Sequence, residues 1–333
     1  MNYVRNFLPA ALNHHTMKNS LWTSLLRKFL LLVIPLFLLS ERSSFAQKLI
    51  EVSFQKDMKG NYTFTCVNRA FCTYIVDLSF TKLDNAHCDH TLPYLAVVKP
   101  GPNKLFLLTK TDPKEDIVFN YKAGYAKGCL HPSVNPDFTY LYPVTPGKEV
   151  QAYEIKNVLR TATNAPGSDS SYAVRLKMKP GDTIYAARRG IVTEVDVSSD
   201  ANDNGTSGGS DNYVEIVHAD CSFGRYGVLR KDGALVHPGQ QVEAGQPIGL
   251  VGGDRYGRGS DIRFSVVYNV PTESLPGAGD NSGQTHWAYI PLKFWTKFNG
   301  KGMLKHGATY TSEFPIAVLT QEKPGTTPKK AKK

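Results

Sequence analysis

The constraint that most narrows the fold lies in residues 212–268, NYVEIVHADCSFGRYGVLRKDGALVHPGQQVEAGQPIGLVGGDRYGRGSDIRFSVVY. Apolar and polar residues alternate there in short runs separated by Gly-rich turns, the period-two pattern of half-buried antiparallel strands. Val214, Ile216, Tyr226, Val228, Val242, Ile248, Leu250, Ile262, Phe264 and Val266 are the expected inward positions. A chain organised around such a run is expected to be all-β.

Upstream, TYIVDLSF, YLAVV, KLFLLT and DIVFNYKAGY are strand-like runs divided by KPGPNK and TDPKED, without a long 3.6-residue periodicity. They predict a β-sandwich-like domain over residues 47–150, closed by the Pro-rich junction YLYPVTPG and carrying no catalytic constellation. TATNAPGSDSS then reads as an exposed connection, and RLKMKPGDTIYAARRGIVTEVDV as two further strands about a Pro180-Gly181 turn. Downstream, HWAYIPLKFWTKF and MLKHGATYTSEFP supply short closing strands, so that the second domain covers residues 151–320.

The formal charge of +10 invites a nucleic-acid reading, but residues 1–46 and 321–333 together carry +8 of it. The folded body is left close to neutral, which argues against a basic groove. The KKAKK tail reads as a solvated, disordered end of residues 321–333. Arg27 and Lys28 precede FLLLVIPLFLL, an apolar run too short to span a bilayer comfortably and interrupted by Pro35. Ser44 and Ala46 supply small residues before Gln47, so residues 1–46 read as a secretory signal peptide. No later segment is apolar enough to cross a membrane. Export follows, to a periplasm or an extracellular space.

All five cysteines lie in the exported part, where disulfides persist. Cys66, Cys72, Cys88 and Cys129 are the candidate disulfide cysteines of the first domain, with three pairings open, and Cys221 is expected to be a shielded thiol. Metal binding by Cys66, Cys72 and Cys88 with His87 and His90 is disfavoured because no paired C-x-x-C spacing is present. In SSDANDNGTSGGSD, Asp200, Asn202, Asn204, Gly205 and Asp211 fit an EF-hand-like spacing of oxygen ligands. The flanking strands, and Ser207 where an apolar anchor belongs, favour a plain hairpin loop over calcium.

Residues 168–267 resemble the lysostaphin-type zinc metallopeptidases, the LytM-like peptidoglycan endopeptidases. KPGDTIYAARRGIV looks like the family's P-x-G-T-P-V-Y-A-x-x-x-G-x-V segment, and NYVEIVHADCSFGRYGVL like its N-Y-V-x-I-x-H-x-x-G-x-x-x-Y-x-H-L strand pair. VHPGQQVEAGQPIGLVG looks like V-x-x-G-x-x-V-x-x-G-Q-x-I-G-x-x-G. More weakly, the preceding domain is similar to the front domain of exported Bacteroidota members, which implies a Gram-negative envelope. The resemblance implies a zinc site of two imidazoles and a carboxylate with an open position for water. It also places the ligands. The family's H-x-x-x-D falls on Ser171 and Arg175, its third ligand on Arg263, and its catalytic His positions on Asp261 and Val228. None of the five retains the family's residue. A guanidinium offers no lone pair, so no cofactor is expected, and Arg175 and Arg263 are expected to pair with Asp261 where zinc would stand.

His218 sits where active relatives also keep a non-ligand His, and neither His237 nor His286 recreates a ligand pair. The expected function is therefore a catalytically inactive LytM-like exported protein, a cell-envelope binding or regulatory module acting on peptidoglycan or an envelope hydrolase. Arg175, Tyr226, Asp261 and Arg263 are its candidate groove residues. The alternatives are a divergent zinc endopeptidase cleaving peptidoglycan cross-links, and a structural envelope component.

Overall fold

A computed structural model describes residues 48–156, 172–199, 211–253, 260–271 and 285–322. The expected signal peptide, the Thr161–Ser171 connection, Ser171 itself, most of the acidic Gly loop and nearly all of the basic tail lie outside these residues. Among the described residues, no helix is long and apolar enough to cross a membrane.

Seven strands form the first half. β1 (Ile50–Lys56), β2 (Tyr62–Asn68), β4 (Ala86–Cys88) and β6 (Gly101–Lys110) make one antiparallel sheet in the order β1-β2-β6-β4. β3 (Tyr74–Asp84), β5 (Tyr94–Val98) and β7 (Val118–Lys127) make another in the order β5-β3-β7. Aromatic rings from both sheets interleave between them. Phe64 stacks on Phe106 at 4.6 Å and meets Phe80, Phe119 and Tyr121 edge-on or tilted at 5.4–5.8 Å. Such offset and edge-to-face packing adds to the area the rings bury. The sandwich expectation holds for this half.

The second half is built on a nine-stranded antiparallel sheet. Its path runs β16 (Gln241–Val242), β12 (Gly190–Asp196), β13 (Tyr213–Val217), β14 (Phe223–Gly227), β18 (Asp261–Pro271), β10 (Tyr172–Lys177), β9 (Glu149–Lys156) and β22 (Thr309–Thr311), with β19 (Thr285–Tyr289) also paired to β18. A three-stranded sheet of β11 (Thr183–Tyr185), β17 (Pro247–Val251) and β15 (Leu229–Ala234) shares its core. A third small sheet joins β8 (Thr139–Leu141), β20 (Lys293–Thr296) and β21 (Gly300–Gly302). The single described helix, α1 (Ile316–Leu319), follows.

Alternation does most of the sorting. Val214, Ile216, Tyr226, Ile262, Phe264 and Val266 are fully buried, each worth about 1.5–3 kcal/mol relative to exposure. In β17 the expected alternation breaks: Ile248 and Val251 are buried while Leu250 is half-exposed. The small sheet pairs through irregular registers at Ile184/Tyr185 and between Leu229 and Ala234, and such irregularities shift which side chains face inward. The boundary between halves also differs from the expected one. Tyr140, Tyr142 and Val144 pack in the second core with Phe294 and Tyr310, so the YLYPVTPG junction belongs to the second half.

The halves are joined covalently and by charge. Cys129 is disulfide-bonded to Cys221 across 92 residues, whereas Cys66, Cys72 and Cys88 are free thiols. This corrects the expectation of bridges confined to the first domain and of a lone Cys221. Only the tertiary fold brings Cys129, at the end of the β7 segment, to the β13–β14 turn. Lys127 ion-pairs with Glu215 at 2.8 Å and with Glu194, and Thr193 donates its hydroxyl to Glu215. Gly239, at φ +86°, lies against Phe71: a Cβ there would stand 2.6 Å from the ring.

Candidate functional site

The site residues lie on two neighbouring strands of the large sheet. β10 and β18 pair antiparallel with Arg175 opposite Arg263, Leu176 opposite Ile262 and Val174 opposite Phe264. Val174, Leu176, Ile262 and Phe264 point into the core, so the pleat turns Arg175 and Arg263 to the opposite face. Register extends this row across the sheet: Asp196 faces Tyr213, Tyr213 faces Gly227, Gly227 faces Arg263, and Arg175 faces Tyr153. The two guanidinium side chains remain 32 % and 28 % exposed.

Each arginine has a carboxylate. Arg175 Nε lies 3.5 Å from Asp261 Oδ2, an ion pair at the long end, and its guanidinium sits 4.9 Å from the centre of the Tyr153 ring. Arg263 Nη1 donates to Asp211 Oδ2 at 2.9 Å. The expected Arg175–Asp261 contact is present, while Arg263 turns to Asp211 in place of Asp261. Asp211, considered in the sequence for a calcium loop, is here a partner of arginine. One register step along, Arg225 lies 3.7 Å over the Tyr213 ring.

Two candidate groove residues do not line a groove. Tyr226 is fully buried, stacks on Phe264 at 4.6 Å, and accepts the Ala187 backbone N–H at 2.7 Å through its hydroxyl. Burial raises its phenol well above the ordinary range. The Asp261 side chain is only 3 % exposed and supports Arg175 from the strand end. Val228 is buried as well, at φ +72°, a strained conformation for a β-branched residue. Its carbonyl accepts the Gly252 N–H at 2.8 Å. A hydrocarbon there can neither bind a metal nor carry a proton.

The zinc implied by the resemblance does not fit these residues. Guanidinium nitrogens hold their protons at every accessible pH and present no lone pair. Two of the positions in question are arginines, and the carboxylate beside them already faces a guanidinium. Among the described residues, no group of three or more His, Cys, Asp or Glu is placed to hold a metal ion.

A second polar cluster is structural. Arg188 is buried, donates to Asp220 at 2.7 Å and to Glu322, and lies 4.0 Å over Phe138. The burial of His218 itself, and after it the Arg188 charge, push that imidazole down to about 3, which keeps it neutral. His218 Nδ1 is 2.8 Å from the Arg189 carbonyl, and a Cβ on Gly224 would stand 2.9 Å from its Nε2. This is a core histidine. His237 is exposed and its Nδ1 is near the Pro238 carbonyl, while His286 lies in β19 opposite Val270.

A nine-stranded antiparallel sheet, with β17 of the Gly-turn segment paired into a small sheet on the same core, makes the second half all-β. The sequence model of Peptidase family M23 matches residues 169–273, and over that segment the chain is similar to the family. Among solved structures, the catalytic domain of lysostaphin from Staphylococcus simulans is 22 % identical, over 39 % of this chain and 79 % of its own, with a TM-score of 0.24. Csd3 from Helicobacter pylori is 15 % identical over 73 % of this chain and 72 % of its own, at 0.27. A zinc-containing peptidase from Vibrio cholerae is 14 % identical over 66 % and 75 %, at 0.26. At such scores the assignment rests on the sequence match. No curated protein matches the chain.

Proposed function

We propose that the LytM-like domain is a catalytically inactive binding or regulatory module, exported to the cell envelope, that engages peptidoglycan or an envelope hydrolase. The observation that carries this reading is the row of Arg175 and Arg263, each held by a carboxylate at a position where a peptidase of this family would hold its metal. A scaffold whose ligand positions are occupied by cations retains a polar, partly open sheet face and lacks the groups that would activate water. The apolar run of residues 29–39 and the Cys129–Cys221 disulfide support export, since disulfides persist in oxidising compartments.

Co-sedimentation with purified sacculi tests the reading, together with a muropeptide digestion in added zinc. Retention on sacculi, or on an envelope hydrolase whose rate it changes, without release of cleaved cross-links is the expected result. Cleavage above a heat-killed control would make the protein a divergent zinc endopeptidase. Absence of retention on either partner would leave it a structural envelope component.

A further inference from the structure

We propose that residues 313–322 form a strap that closes over a carboxylate pocket built on the buried Arg188, with the strap's own Glu322 as the pocket's ligand. The inference goes beyond the binding-module reading and stands whether or not the protein meets peptidoglycan.

In the closed form the Arg188 cluster serves the fold, and its geometry is that of an occupied site. Arg188 donates through Nε to Glu322 Oε2 at 3.0 Å and through Nη2 to Oε1, the two-point match of a guanidinium edge to a carboxylate. Arg189 Nη1 donates to the Glu322 carbonyl, so side chain and main chain are both gripped. The Phe138 ring lies against the Arg188 guanidinium, its centre 4.0 Å from the guanidinium carbon, and fixes the plane of the fork. Beside it, Gln321 Nε2 donates to the Thr139 carbonyl of β8 at 3.0 Å.

The strap itself buries little. Its helix α1 has one buried side chain, Val318, while Ile316 is 78 % exposed. Phe314 meets Tyr185 edge-on at 5.3 Å, and Phe314 and Leu319 lie over Gly245, where a Cβ would stand 3.1 Å from each. Segments with few buried apolar contacts open locally at a lower free energy than the whole fold. The polar grip on Glu322 is therefore a large part of what holds this segment down.

Opening leaves neither arginine stranded. Arg188 Nη1 keeps Asp220 Oδ2 at 2.7 Å, and Asp220 is itself fixed by the Ser222 N–H at 3.0 Å and hydroxyl at 2.7 Å. Arg189 keeps Glu243 at 3.3 Å. Removing one partner of a buried pair is strongly destabilising when an uncompensated charge remains. Here each cation retains a carboxylate after Glu322 leaves, so closed and open forms are both charge-balanced.

The test uses the full chain and a labelled peptide of residues 313–322, EFPIAVLTQE, acetylated and amidated so that Glu322 supplies the only carboxylate at its end. In Glu322→Ala the pocket is vacated and the peptide is expected to bind in trans. The parent, with its pocket filled, is expected to bind at least about tenfold more weakly, a difference of about 1.4 kcal/mol. A peptide with Gln in place of Glu322 is expected to lose a similar factor toward the variant, whose folding is checked by circular dichroism. Hydrogen exchange of the unaltered protein gives a second reading. The Val318, Leu319 and Thr320 amides, bonded within the strap, are expected to exchange at least about tenfold faster than those of β18, by local opening. Equal binding to parent and variant, no binding to the folded variant, indifference to Gln, or strap amides exchanging in step with β18 would overturn the proposal.

Discussion

Arg175 and Arg263 face each other directly across the β10–β18 pair, and each is neutralised from a different direction, by Asp261 at the strand end and by Asp211 from before β13. The arrangement sets two opposed cations on one face of the sheet, each met by its own carboxylate. Asp211→Asn removes a partly exposed ion pair, so urea denaturation is expected to show a loss of no more than about 1 kcal/mol. A larger loss would show that Asp211 holds more of the fold than this one contact.

Tyr226 belongs to the core, and its substitution reports on stability. Tyr226→Phe keeps the stack on Phe264 but leaves the buried Ala187 N–H without its acceptor, a loss of about 1–3 kcal/mol. Urea denaturation should show that loss with retention on sacculi unchanged. A fall in retention without a fall in stability would place the phenol in the binding face after all.

His218 gives stability a pH dependence of definite sign. Its folded pKa lies near 3, far below the unfolded value of about 6.5, because burial and the Arg188 charge disfavour the imidazolium. Between those values the unfolded chain holds the extra proton, so stability is complete above pH 6.5 and falls as pH drops toward the folded value. The slope approaches about 1.4 kcal/mol per pH unit. Chemical denaturation from pH 7 to pH 4.5 should show it in the parent and lose it in His218→Asn, whose folding is checked by circular dichroism. An unchanged slope in that variant would assign the titration elsewhere.

The Cys129–Cys221 bridge closes a segment of 92 residues, and its removal is expected to cost about 2–5 kcal/mol. Cys129→Ser with Cys221→Ser should lower the melting temperature and abolish the shift on reduction. Replacing Cys66, Cys72 and Cys88 by Ala should leave that shift in place. Retention of the shift in the first variant would mean that other cysteines pair.

Lys127 neutralises two carboxylates of the second half, with its side chain 14 % exposed. Lys127→Met leaves Glu194 and Glu215 together without their cation and should destabilise by about 3–5 kcal/mol. Adding Glu215→Gln should recover much of the loss, a non-additivity that a double-mutant cycle reads directly. Additive losses would mean that the pairs act independently.

The sheet was legible in the sequence because one face of every long strand is buried, which imprints period two. The same rule decides the Tyr226 question: in FGRYG, Tyr226 alternates with Arg225 and Gly227, so an inward Tyr226 puts those two on the outer face. A tyrosine has an apolar body and a polar tip, and read by itself it fits either place. Leu250 was misread because irregular pairing of β17 breaks the alternation. The partner of Arg263 lies 52 residues away and that of Cys129 lies 92 away; such pairings follow from three-dimensional closure, to which local pattern is blind. The family resemblance sets Arg175 and Arg263 at expected ligand positions, but their mutual opposition required the register.

Metal content bears most directly on the central claim, that cations have displaced the zinc chemistry of this fold. The full chain, incubated with zinc and freed of loosely held metal by gel filtration, would be analysed by mass spectrometry for metal per chain. The account predicts substoichiometric zinc, unchanged by Arg263→Met. Stoichiometric zinc retained through the column would contradict it.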